Sequence, residues 1–461
     1  MKPPFDIAAD LDTPVSAYLK LGALGPRYLL ESVEGGERLA RYSFLGFGDA
    51  LEVHLDDDGL RIGTELYAHP ADQRAYLDAL RDALARAPRP QPEVPGLPFA
   101  GGLVGVSGYD VVRMFERLPR ATSVQAGIPE ASFVATPSTL VFDHLTRRVA
   151  LLHAGPEAER EALRSEVIRL LRGAIPPNGV DIAISEPEAG MSERQFADRV
   201  HACKEYIAAG DIYQIVLSVL FHGRTNVPPF EVYRALRLLN PSPYMFFLEL
   251  GDLQVVGSSP EALVKLNGRT ASLRPIAGTL PRGETPAEDA DNETRLLADP
   301  KESAEHVMLV DLARNDLGRV ATAGSVHVDP YRAIERYSHV MHIVSGVEGE
   351  LAPDRDQFDL FAATFPAGTL VGAPKVRAME IIEELEETGR GLYGGTAGYF
   401  GAGGDMDQAI TIRTLVFSGD EYSFQAGAGI VADSVPENEY REVLAKSAIL
   451  RRALEIAGEG L

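Results

Sequence analysis

The order of strand-like and helix-like segments constrains the fold of this chain more than any other feature of its sequence. Residues 13–62 alternate short apolar runs with Gly turns, which is typical of strands and hairpins. Residues 73–86 and about 157–173 carry apolar residues at helical spacing, with strand-like segments at 99–107 and 139–153 between them. Because strands come in runs and do not alternate regularly with helices, the pattern predicts an α+β fold with large antiparallel β-sheets.

A change of composition near residue 185 predicts two regions. Pro176-Pro177-Asn178-Gly179 begins the best linker candidate, which runs to about residue 190. Beyond it, Ser192 and Gln195 form a capping-box pattern that predicts a helix to about residue 209. The later part is richer in Gly and in isolated polar residues between apolar runs. We therefore expect regions 1–185 and 186–461, with the catalytic machinery in the second.

Composition excludes several classes of protein. A net charge of −23 argues against nucleic acid or an anionic membrane as the general partner. The single cysteine, Cys203, excludes an internal disulfide framework and fits a reducing compartment. The amino terminus has no apolar signal region, and no apolar run approaches the length of a membrane span. These features predict a cytoplasmic enzyme without a nucleic-acid or membrane partner.

Two segments carry paired carboxylates at helical spacing. Asp433-Ser434-Val435-Pro436 predicts a helix start, after which Glu439, Glu442 and Lys446 share one helix face. On its own, such a Glu/Lys pattern is more often a solvated face than a site. The segment Asp299 to His306 has the same kind of start and places Glu302 and Glu305 at i, i+3.

Two such pairs, far apart in sequence, can face each other across one cavity. Oxygen-only ligands of this kind suit Mg²⁺, which keeps some waters and takes one or two protein carboxylates plus substrate oxygens. With one cysteine and no tight histidine cluster, a zinc site is not expected. The loop Gly427-Ala428-Gly429 before the second pair lets backbone N–H groups approach an anionic ligand.

Three other polar residues of the later region are candidate site residues, and two of them also have a purely structural interpretation. Thr369 follows Gly368 before a helix predicted to start at Pro374, so its hydroxyl can project from a tight turn. A strand over 408–417 places Arg413 on its polar face, where it can hold a carboxylate or lie at an exposed sheet edge. His342 alternates with apolar residues, a pattern more typical of a hydrogen-bonded core histidine than of a catalyst.

The chain resembles the chorismate-utilising enzymes and, within that family, the anthranilate synthase component I branch. The matching stretches are Pro275-Ile276-Ala277-Gly278-Thr279, Asp299 to His306, Val310 to Asp316, Val340 to Ser345, Phe365 to Lys375, Ile412-Arg413-Thr414 and Gln425 to Lys446. They span nearly the whole carboxy-terminal half. The resemblance implies that the large antiparallel sheets pack as a sandwich with flanking helices.

The same resemblance implies a magnesium site. Glu305 and Glu442 would hold Mg²⁺, and Glu302 and Glu439 would act through bound waters. The metal would take the ring carboxylate of chorismate. The backbone amides of the loop Gly427, Ala428 and Gly429 would assist it.

Roles for the remaining residues also follow from the resemblance. Arg413, Tyr393 and Lys446 would hold the enolpyruvyl carboxylate of chorismate. Glu261 is similar to the general acid that protonates the departing ring hydroxyl, and His342 would assist the loss of pyruvate. Thr279 and Thr369 would line the pocket, and Thr369 would also take part in catalysis.

The nucleophile distinguishes the branches of the family. Isochorismate and salicylate synthases have a water-activating Lys where this chain has Gln214, and aminodeoxychorismate synthases usually have an attacking Lys at the position of Ala277. The resemblance therefore implies direct attack by ammonia, giving anthranilate and pyruvate in tryptophan biosynthesis. The segment Asp211 to Ser218 is partly similar to the aminodeoxychorismate branch, so aminodeoxychorismate synthase component I is the alternative.

The source of ammonia is expected outside this chain. Cys203 lies in a predicted helix without a recognisable nucleophile turn, so no thiol is evident for glutamine hydrolysis. We expect a glutamine amidotransferase partner, anthranilate synthase component II, and hence a hetero-oligomer.

Two further segments are similar to the family's tryptophan-binding region. These segments are Leu30-Glu31-Ser32 and Asn240-Pro241-Ser242-Pro243-Tyr244-Met245. The resemblance implies that tryptophan binds to region 1–185 together with the segment Asn240 to Met245. It also implies that bound tryptophan inhibits the enzyme by feedback. A non-catalytic tryptophan-binding regulatory protein is a further alternative, but such a sensor would need none of the four glutamates, Arg413 or Lys446.

Overall fold

A computed structural model describes residues 4–8, 10–33, 41–125, 127–175, 182–336 and 340–460. The described helices are α1 (Pro14–Lys20), α2 (Gln73–Arg86), α3 (Glu157–Leu171), α4 (Glu193–Ala209), α5 (Pro229–Leu239), α6 (Pro286–Ala298), α7 (Pro300–Gly318), α8 (Gln357–Thr364), α9 (Lys375–Leu385) and α10 (Pro436–Glu459). Short 3₁₀ turns lie at Gly22–Leu24, Tyr109–Met114 and Gly368–Leu370. No helix in these ranges is long and apolar enough to cross a membrane.

The strands belong to three antiparallel sheets. They are β1 (Ile7–Ala8), β2 (Pro26–Glu31), β3 (Tyr42–Phe47), β4 (Leu51–Asp56), β5 (Gly59–Ile62), β6 (Glu65–Tyr67), β7 (Gly102–Ser107), β8 (Ala131–Ala135), β9 (Ser138–Asp143), β10 (Arg148–His153), β11 (Glu188–Ala189), β12 (Gln214–Arg224), β13 (Tyr244–Leu250), β14 (Leu253–Ser259), β15 (Ala262–Asn267), β16 (Thr270–Leu273), β17 (Ile276–Pro281), β18 (His327–Val328), β19 (Ala333–Arg336), β20 (Val340–Val344), β21 (Val347–Glu350), β22 (Gly372–Ala373), β23 (Thr396–Gly401), β24 (Met406–Ile410), β25 (Thr414–Ser418) and β26 (Glu421–Ile430).

The first sheet has the order β1-β10-β9-β3-β2-β13-β14-β25-β26-β12-β11, with β22 also paired to β12. The second has the order β18-β21-β16-β15-β24-β23-β7-β8-β4-β5-β6, and β17-β20-β19 form a small third sheet. The predicted α+β class with large antiparallel sheets and flanking helices is confirmed.

The two large sheets pack face to face through an apolar core. Tyr28 and Phe246 of the first sheet belong to the same buried cluster as Val104 and Tyr399 of the second. Phe99 completes this layer, with its ring centroid 4.5 Å from that of Tyr399. Burying a side chain of this size stabilises the fold by about 1.5–3 kcal/mol, so the layer holds the sheets at a fixed spacing.

Strands from both sides of residue 185 pair within each large sheet. In the first, β2 pairs with β13, where Leu30 lies opposite Phe246. In the second, β7 pairs with β23, where Val104 lies opposite Tyr399. The predicted linker Pro176 to Gly179 lies outside the described residues, and the division into functional regions stays a prediction.

The predicted strand over 408–417 is wrong at its centre. β24 ends at Ile410, β25 begins at Thr414, and Arg413 between them has a φ of 49°. A left-handed conformation at a non-glycine residue costs of order 1–3 kcal/mol and breaks the alternation of a strand. The backbone is held there because the amide of Ser258 donates a hydrogen bond to the carbonyl of Arg413 over 3.1 Å.

Two helix starts position the predicted carboxylates. The side chain of Asp299 caps α7 by accepting hydrogen bonds from the amides of Lys301 and Glu302, at 2.8 and 3.1 Å. Helix α10 begins with Pro436 as predicted, and its apolar side packs against β26 and α5. The prediction of a loop at Gly427-Ala428-Gly429 is wrong, because these residues belong to β26 and pair with Val216 to Ser218 of β12. Residues of both helices line one cavity with the end of this strand.

Candidate active site

A cavity of about 390 Å³, which we call the main cavity, lies between β26, α10, the start of α7 and the turn at Thr369. The predicted site residues on its wall are Glu261, Glu305, Thr369, Tyr393, Arg413, Gly427, Gly429, Glu439, Glu442 and Lys446. Its wall also contains Gln214, Lys301, Gln425 and Ser434, of which the last three were not predicted as site residues. The structure thus brings together residues that are up to about 230 positions apart in sequence, as long-range sheet pairing allows.

Gly427 allows β26 to approach a tyrosine closely. A Cβ at this position would lie 2.6 Å from the hydroxyl of Tyr393 and 2.7 Å from the carbonyl of Leu217. Any other residue would push the Tyr393 ring out of the wall. Ala428, the next residue along the strand, is fully buried on the opposite face, and so its side chain does not line the main cavity.

The α10 face carries an ion pair at the edge of the cavity. The ammonium of Lys446 lies 2.7 Å from a carboxylate oxygen of Glu442 and donates to the carbonyl of Gly427 over 3.0 Å. Both charged side chains are about half exposed, at 50 and 48 %. Such an exposed pair adds little to stability, so these charges are available to a ligand.

The two α7 carboxylates, Glu302 and Glu305, influence each other electrostatically. Glu305 and Lys301 line the main cavity, whereas Glu302 points toward Gly278 beside it. Burial raises the pKa of Glu302, and the negative charges of Glu305 and Asp299 raise it further. A cation placed between these carboxylates would relieve that repulsion.

The residues fit a magnesium ion by their chemistry. Carboxylates of α7 and α10 face one cavity, and all the available donors are oxygens, which Mg²⁺ prefers. As the side chains are placed, no three His, Cys, Asp or Glu residues of the described ranges are grouped closely enough to coordinate a metal by themselves. Instead, the Lys446 ammonium occupies the cationic position on Glu442. A metal held here would therefore need substrate oxygens and water among its ligands.

Glu261 has the properties of an acid at neutral pH. It follows β14, lines the main cavity, and accepts a hydrogen bond from the hydroxyl of Thr369 over 3.0 Å. Burial raises the pKa of Glu261 to about 7, although the Thr369 hydrogen bond acts in the opposite direction. A carboxyl group with this pKa can donate a proton to a leaving group near pH 7.

His342 and Thr279 lie outside the main cavity wall, on neighbouring strands of the third sheet. The two residues are directly paired, and Nδ1 of His342 lies 2.9 Å from the Thr279 hydroxyl and 3.2 Å from the Gly278 carbonyl. Burial lowers the pKa of His342, and the charge of Arg413 lowers it further. Because a carbonyl only accepts, Nδ1 carries the proton in the neutral ring and Nε2 is the basic nitrogen.

A buried ion pair supports the wall behind Tyr393 and was not predicted from the sequence. Arg390 is 2 % exposed and forms hydrogen bonds of 2.9 and 2.7 Å to Glu386. Its guanidinium lies 5.7 Å from the centre of the Tyr393 ring. Glu386 in turn accepts hydrogen bonds from the amide and hydroxyl of Ser218. The two residues are only four positions apart, but Ser218, which donates to Glu386, lies far away in sequence on β12. No sequence pattern therefore marked their role.

A second cavity of about 160 Å³ contains part of the predicted tryptophan site. Leu30, Glu31, Ser32, Tyr244 and Met245 line it. The buried hydroxyl of Ser32 has no hydrogen-bond partner in the described part of the chain. Leaving such a group unpaired costs about 1–3 kcal/mol, which favours a polar ligand at this position.

The other predicted tryptophan-binding residues are placed differently. Asn240, Pro241 and Ser242 do not line the second cavity. The side chain of Asn240 accepts a hydrogen bond from Arg413 over 3.4 Å and donates to the hydroxyl of Ser258 over 2.9 Å. Asn240 therefore lies between the two cavities, in contact with a residue of the main one.

Comparison with known proteins agrees with the family predicted from the sequence. A family model described as chorismate binding enzyme matches residues 25–452. The chain is 46 % identical to anthranilate synthase component 1 of Thermus thermophilus over 98 % of this chain and 97 % of that protein. It is 44 % identical to anthranilate synthase component 1 of Neisseria meningitidis serogroup A, over 99 % of this chain and 95 % of that protein.

Solved structures give the same result. Anthranilate synthase component I of Streptococcus pneumoniae matches with a TM-score of 0.81 and 35 % identity, covering 89 % of this chain and 92 % of that one. The menaquinone-specific isochorismate synthase of Escherichia coli shares the fold, with a TM-score of 0.71 at 19 % identity over 96 % of this chain and 92 % of that one. By the family model and by relatives that align over nearly its whole length, this chain belongs to the chorismate-binding enzymes.

Proposed function

We propose that the chain is the chorismate-converting subunit of an anthranilate synthase. The observation that carries this proposal is the composition of the main cavity. It combines an acid with a pKa of about 7, Glu261, with anion-binding groups and no lysine at the two positions that provide nucleophiles in other branches. Gln214 on the wall of the main cavity and Ala277, which does not line it, occupy those positions. The alignment with anthranilate synthase component 1 over nearly the whole chain supports the same assignment.

Chorismate would be held by its two carboxylates. Arg413, Tyr393 and Lys446 lie on one cavity wall and offer charged and phenolic donors to the enolpyruvyl carboxylate. The backbone amides of Gly427 and Gly429, which line the same cavity, would assist in binding the ring carboxylate. Glu305 and Glu442, with Glu302 and Glu439 through water, would hold Mg²⁺, which supplies positive charge to that carboxylate.

In the first half-reaction, ammonia forms a bond to a ring carbon as the ring hydroxyl leaves. Glu261 donates its proton to the hydroxyl, which departs as water, and the extra proton on the new amine passes to Glu261 or to solvent. Thr369 holds the carboxyl group in place through their 3.0 Å hydrogen bond. Gln214 has an amide in place of a base, so the cavity contains no group at that position to activate water as a competing nucleophile.

In the second half-reaction, the ring loses pyruvate and becomes aromatic. A proton leaves the aminated ring carbon, the C–O bond to the enolpyruvyl group breaks, and that group takes up a proton to become pyruvate. The lowered pKa of His342 keeps the imidazole neutral, and its Nδ1–H orientation makes Nε2 the nitrogen that can accept the ring proton.

The partner and regulator belong to the same proposal. Cys203 is fully buried in α4, and burial raises the pKa of its thiol to about 12, so it is not suited to attack glutamine. A glutamine amidotransferase subunit would supply ammonia in a cytoplasmic hetero-oligomer. Tryptophan bound in the second cavity, mainly by residues of region 1–185 and β13, would inhibit region 186–461.

One assay tests the function. The purified chain, supplied with chorismate, Mg²⁺ and an ammonium salt, is expected to form anthranilate and pyruvate, identified by fluorescence and mass. Glu261→Gln, which preserves shape but cannot act as this acid, should lower turnover by about 10²–10⁴-fold. Release of aminodeoxychorismate without anthranilate would instead favour the alternative branch, and tryptophan binding without turnover would favour a regulatory protein.

A further inference from the structure

We propose that ammonia reaches the main cavity through the interior of the protein, by way of a small cavity behind Gln425. We call this small cavity the neck. It has a volume of about 20 Å³ and shares the side chains of Tyr393 and Gln425 with the main cavity. The inference rests on the proposed use of ammonia as a substrate and goes beyond it, because it assigns the route.

The neck continues toward a larger cavity at the protein surface. This surface cavity has a volume of about 310 Å³ and is lined by residues of 54–58, 108–130 and 389–391. It shares Gln125 and Ile128 with the neck. Three cavities thus follow one another, each separated from the next by the side chains they share.

A single strand forms one wall of the route. Successive residues of a strand point to opposite faces, so Ser423, Gln425, Gly427 and Gly429 of β26 share a face. Ser423 lines the neck, Gln425 lines both the neck and the main cavity, and the two glycines line the main cavity. The same face of one strand therefore leads from the neck to the position proposed for chorismate.

The size of the neck selects its occupant. A cavity needs about 10–15 Å³ to hold one water molecule, and ammonia is of similar size. A volume of about 20 Å³ accepts either molecule but excludes chorismate and tryptophan. With chorismate filling the main cavity from its open side, the neck gives ammonia an approach from behind.

Gln425 offers a hydrogen-bond acceptor that nothing else in the described structure uses. Its side chain is 7 % exposed, and Nε2 donates to the Ser218 hydroxyl over 2.8 Å. The buried Oε1 has no hydrogen-bond partner among the described residues. Ammonia passing from the neck into the main cavity can donate an N–H group to this oxygen.

The charges along the route favour neutral ammonia inside and ammonium outside. Four aspartates line the surface cavity, Asp56, Asp57, Asp58 and Asp110, against two arginines. They attract ammonium, which can leave its proton on a carboxylate or on water there. The wall of the neck instead includes Arg390, whose guanidinium is already paired with the buried carboxylate of Glu386, so the pair offers no free carboxylate to a cation. Ammonium would have to lose its hydration there without a counter-ion, which costs far more than the entry of neutral ammonia.

The test is to fill the neck from its far end. Ser423→Leu introduces an isobutyl group on the β26 face at a residue that does not line the main cavity, and Ser423→Ala is the matched control that adds no volume. The KM for ammonium is measured at fixed pH with saturating chorismate and Mg²⁺. We expect Ser423→Leu to raise this KM by at least tenfold, with the KM for chorismate within twofold of wild type and Ser423→Ala close to wild type in both.

A second variant and a second nitrogen source complete the test. Overpacking can cost about 1–3 kcal/mol, so circular dichroism and thermal unfolding accompany each variant. If Ser423→Leu does not fold, Ile128→Phe adds volume at a residue that the neck shares with the surface cavity. With a glutaminase partner present, glutamine-dependent turnover should fall with the neck-filling variant.

An unchanged KM for ammonium in a folded neck-filling variant overturns the route but leaves the proposed function standing. No ammonium-dependent turnover by the wild-type chain overturns both.

Discussion

Arg413 donates a hydrogen bond to the side-chain oxygen of Asn240 over 3.4 Å, across the space between the main and second cavities. The Ser258 amide holds the carbonyl of Arg413, and the Ser258 hydroxyl lies 2.8 Å from that of Ser242. The carbonyl of Ser242 accepts a hydrogen bond from the amide of Val33, next to Ser32 of the second cavity. A ligand that moves either end of this network changes the surroundings of the other.

We predict that Asn240→Ala weakens both chorismate binding and its coupling to tryptophan. A hydrogen bond to a charged group contributes about 1.5–3 kcal/mol, so the KM for chorismate should rise by about tenfold or more. Calorimetric titration of tryptophan, with and without an unreactive chorismate analogue, measures the coupling, which is typically 1–3 kcal/mol. The wild type should bind tryptophan more weakly when the analogue is present, and the variant should show a smaller difference. Equal tryptophan affinities in the two wild-type titrations would refute the coupling.

Tryptophan binding itself is expected to depend on Ser32. Its hydroxyl is buried in the second cavity without a partner, so a bound amino acid can satisfy it. Ser32→Ala should weaken tryptophan binding by about 1 kcal/mol, or roughly fivefold, without changing the KM for chorismate. The control for loss of a buried hydroxyl elsewhere is Ser43→Ala. Ser43 lies on β3, is buried, and is hydrogen-bonded to His144. Full inhibition in Ser32→Ala would place the regulatory site elsewhere.

Metal dependence is predicted to require the carboxylates of both helices. Glu305→Gln and Glu442→Gln each remove a charged oxygen ligand, so turnover should fall by more than about 100-fold while the fold is retained. Glu455→Gln, on the exposed side of the same α10 helix, is the matched control and should retain activity. Activity is measured over a range of Mg²⁺ concentrations. Turnover by the wild type in excess EDTA at a rate near that with Mg²⁺ would rule out the metal site.

The pH profile is predicted to report Glu261. Its protonated form is the acid, and its pKa is about 7, so kcat/KM, expressed per concentration of free ammonia, should decline above pH 7. The Thr369 hydroxyl stabilises the carboxylate, and so Thr369→Val should move this decline to higher pH. The raised pKa also means that Glu261 favours the folded state below its unfolded pKa of about 4.3. That contribution is lost as pH rises toward 7. A profile in Thr369→Val that shifts to lower pH would contradict this assignment.

His342 is predicted to act after amination. His342→Gln retains a hydrogen-bonding side chain but removes the basic nitrogen, so the aminated, non-aromatic intermediate should accumulate and be detected by mass. Because the pKa of His342 is lowered, the wild-type second half-reaction should lose activity only below the ordinary histidine range of about 6.5. Equal loss of both half-reactions would make His342 a binding or packing residue.

Local patterns in the sequence were sufficient to predict many elements of the fold. The helix over 73–86 has the predicted bounds, because its apolar periodicity agrees with its final environment. The capping box of Ser192 and Gln195 also forms at the start of α4. The strand over 408–417 was wrong because the left-handed backbone of Arg413 is held by tertiary contacts, which no local pattern encodes.

The candidate site was predictable to a different extent. Family resemblance identified most residues of the main cavity wall, whereas the pattern of glutamates alone did not distinguish a metal site from a solvated helix face. Arg390 and Glu386 are only four residues apart, but they were missed because their role depends on contacts with Val216 and Ser218, about 170 positions away in sequence. Gln425 was missed for the same reason, since its importance lies in the two cavities that it separates. Asn240 was predicted to bind tryptophan, but its observed contact is with Arg413.

The most direct test of the central claim is the product formed from chorismate by the purified chain with Mg²⁺ and an ammonium salt. Fluorescence and mass spectrometry identify the product, and lactate dehydrogenase coupling measures pyruvate. We predict anthranilate and pyruvate in equal amounts, at a rate that rises with free ammonia and that Glu261→Gln reduces by about 10²–10⁴-fold. Aminodeoxychorismate or isochorismate as the product, or no turnover of chorismate by the folded wild-type chain, would contradict the claim.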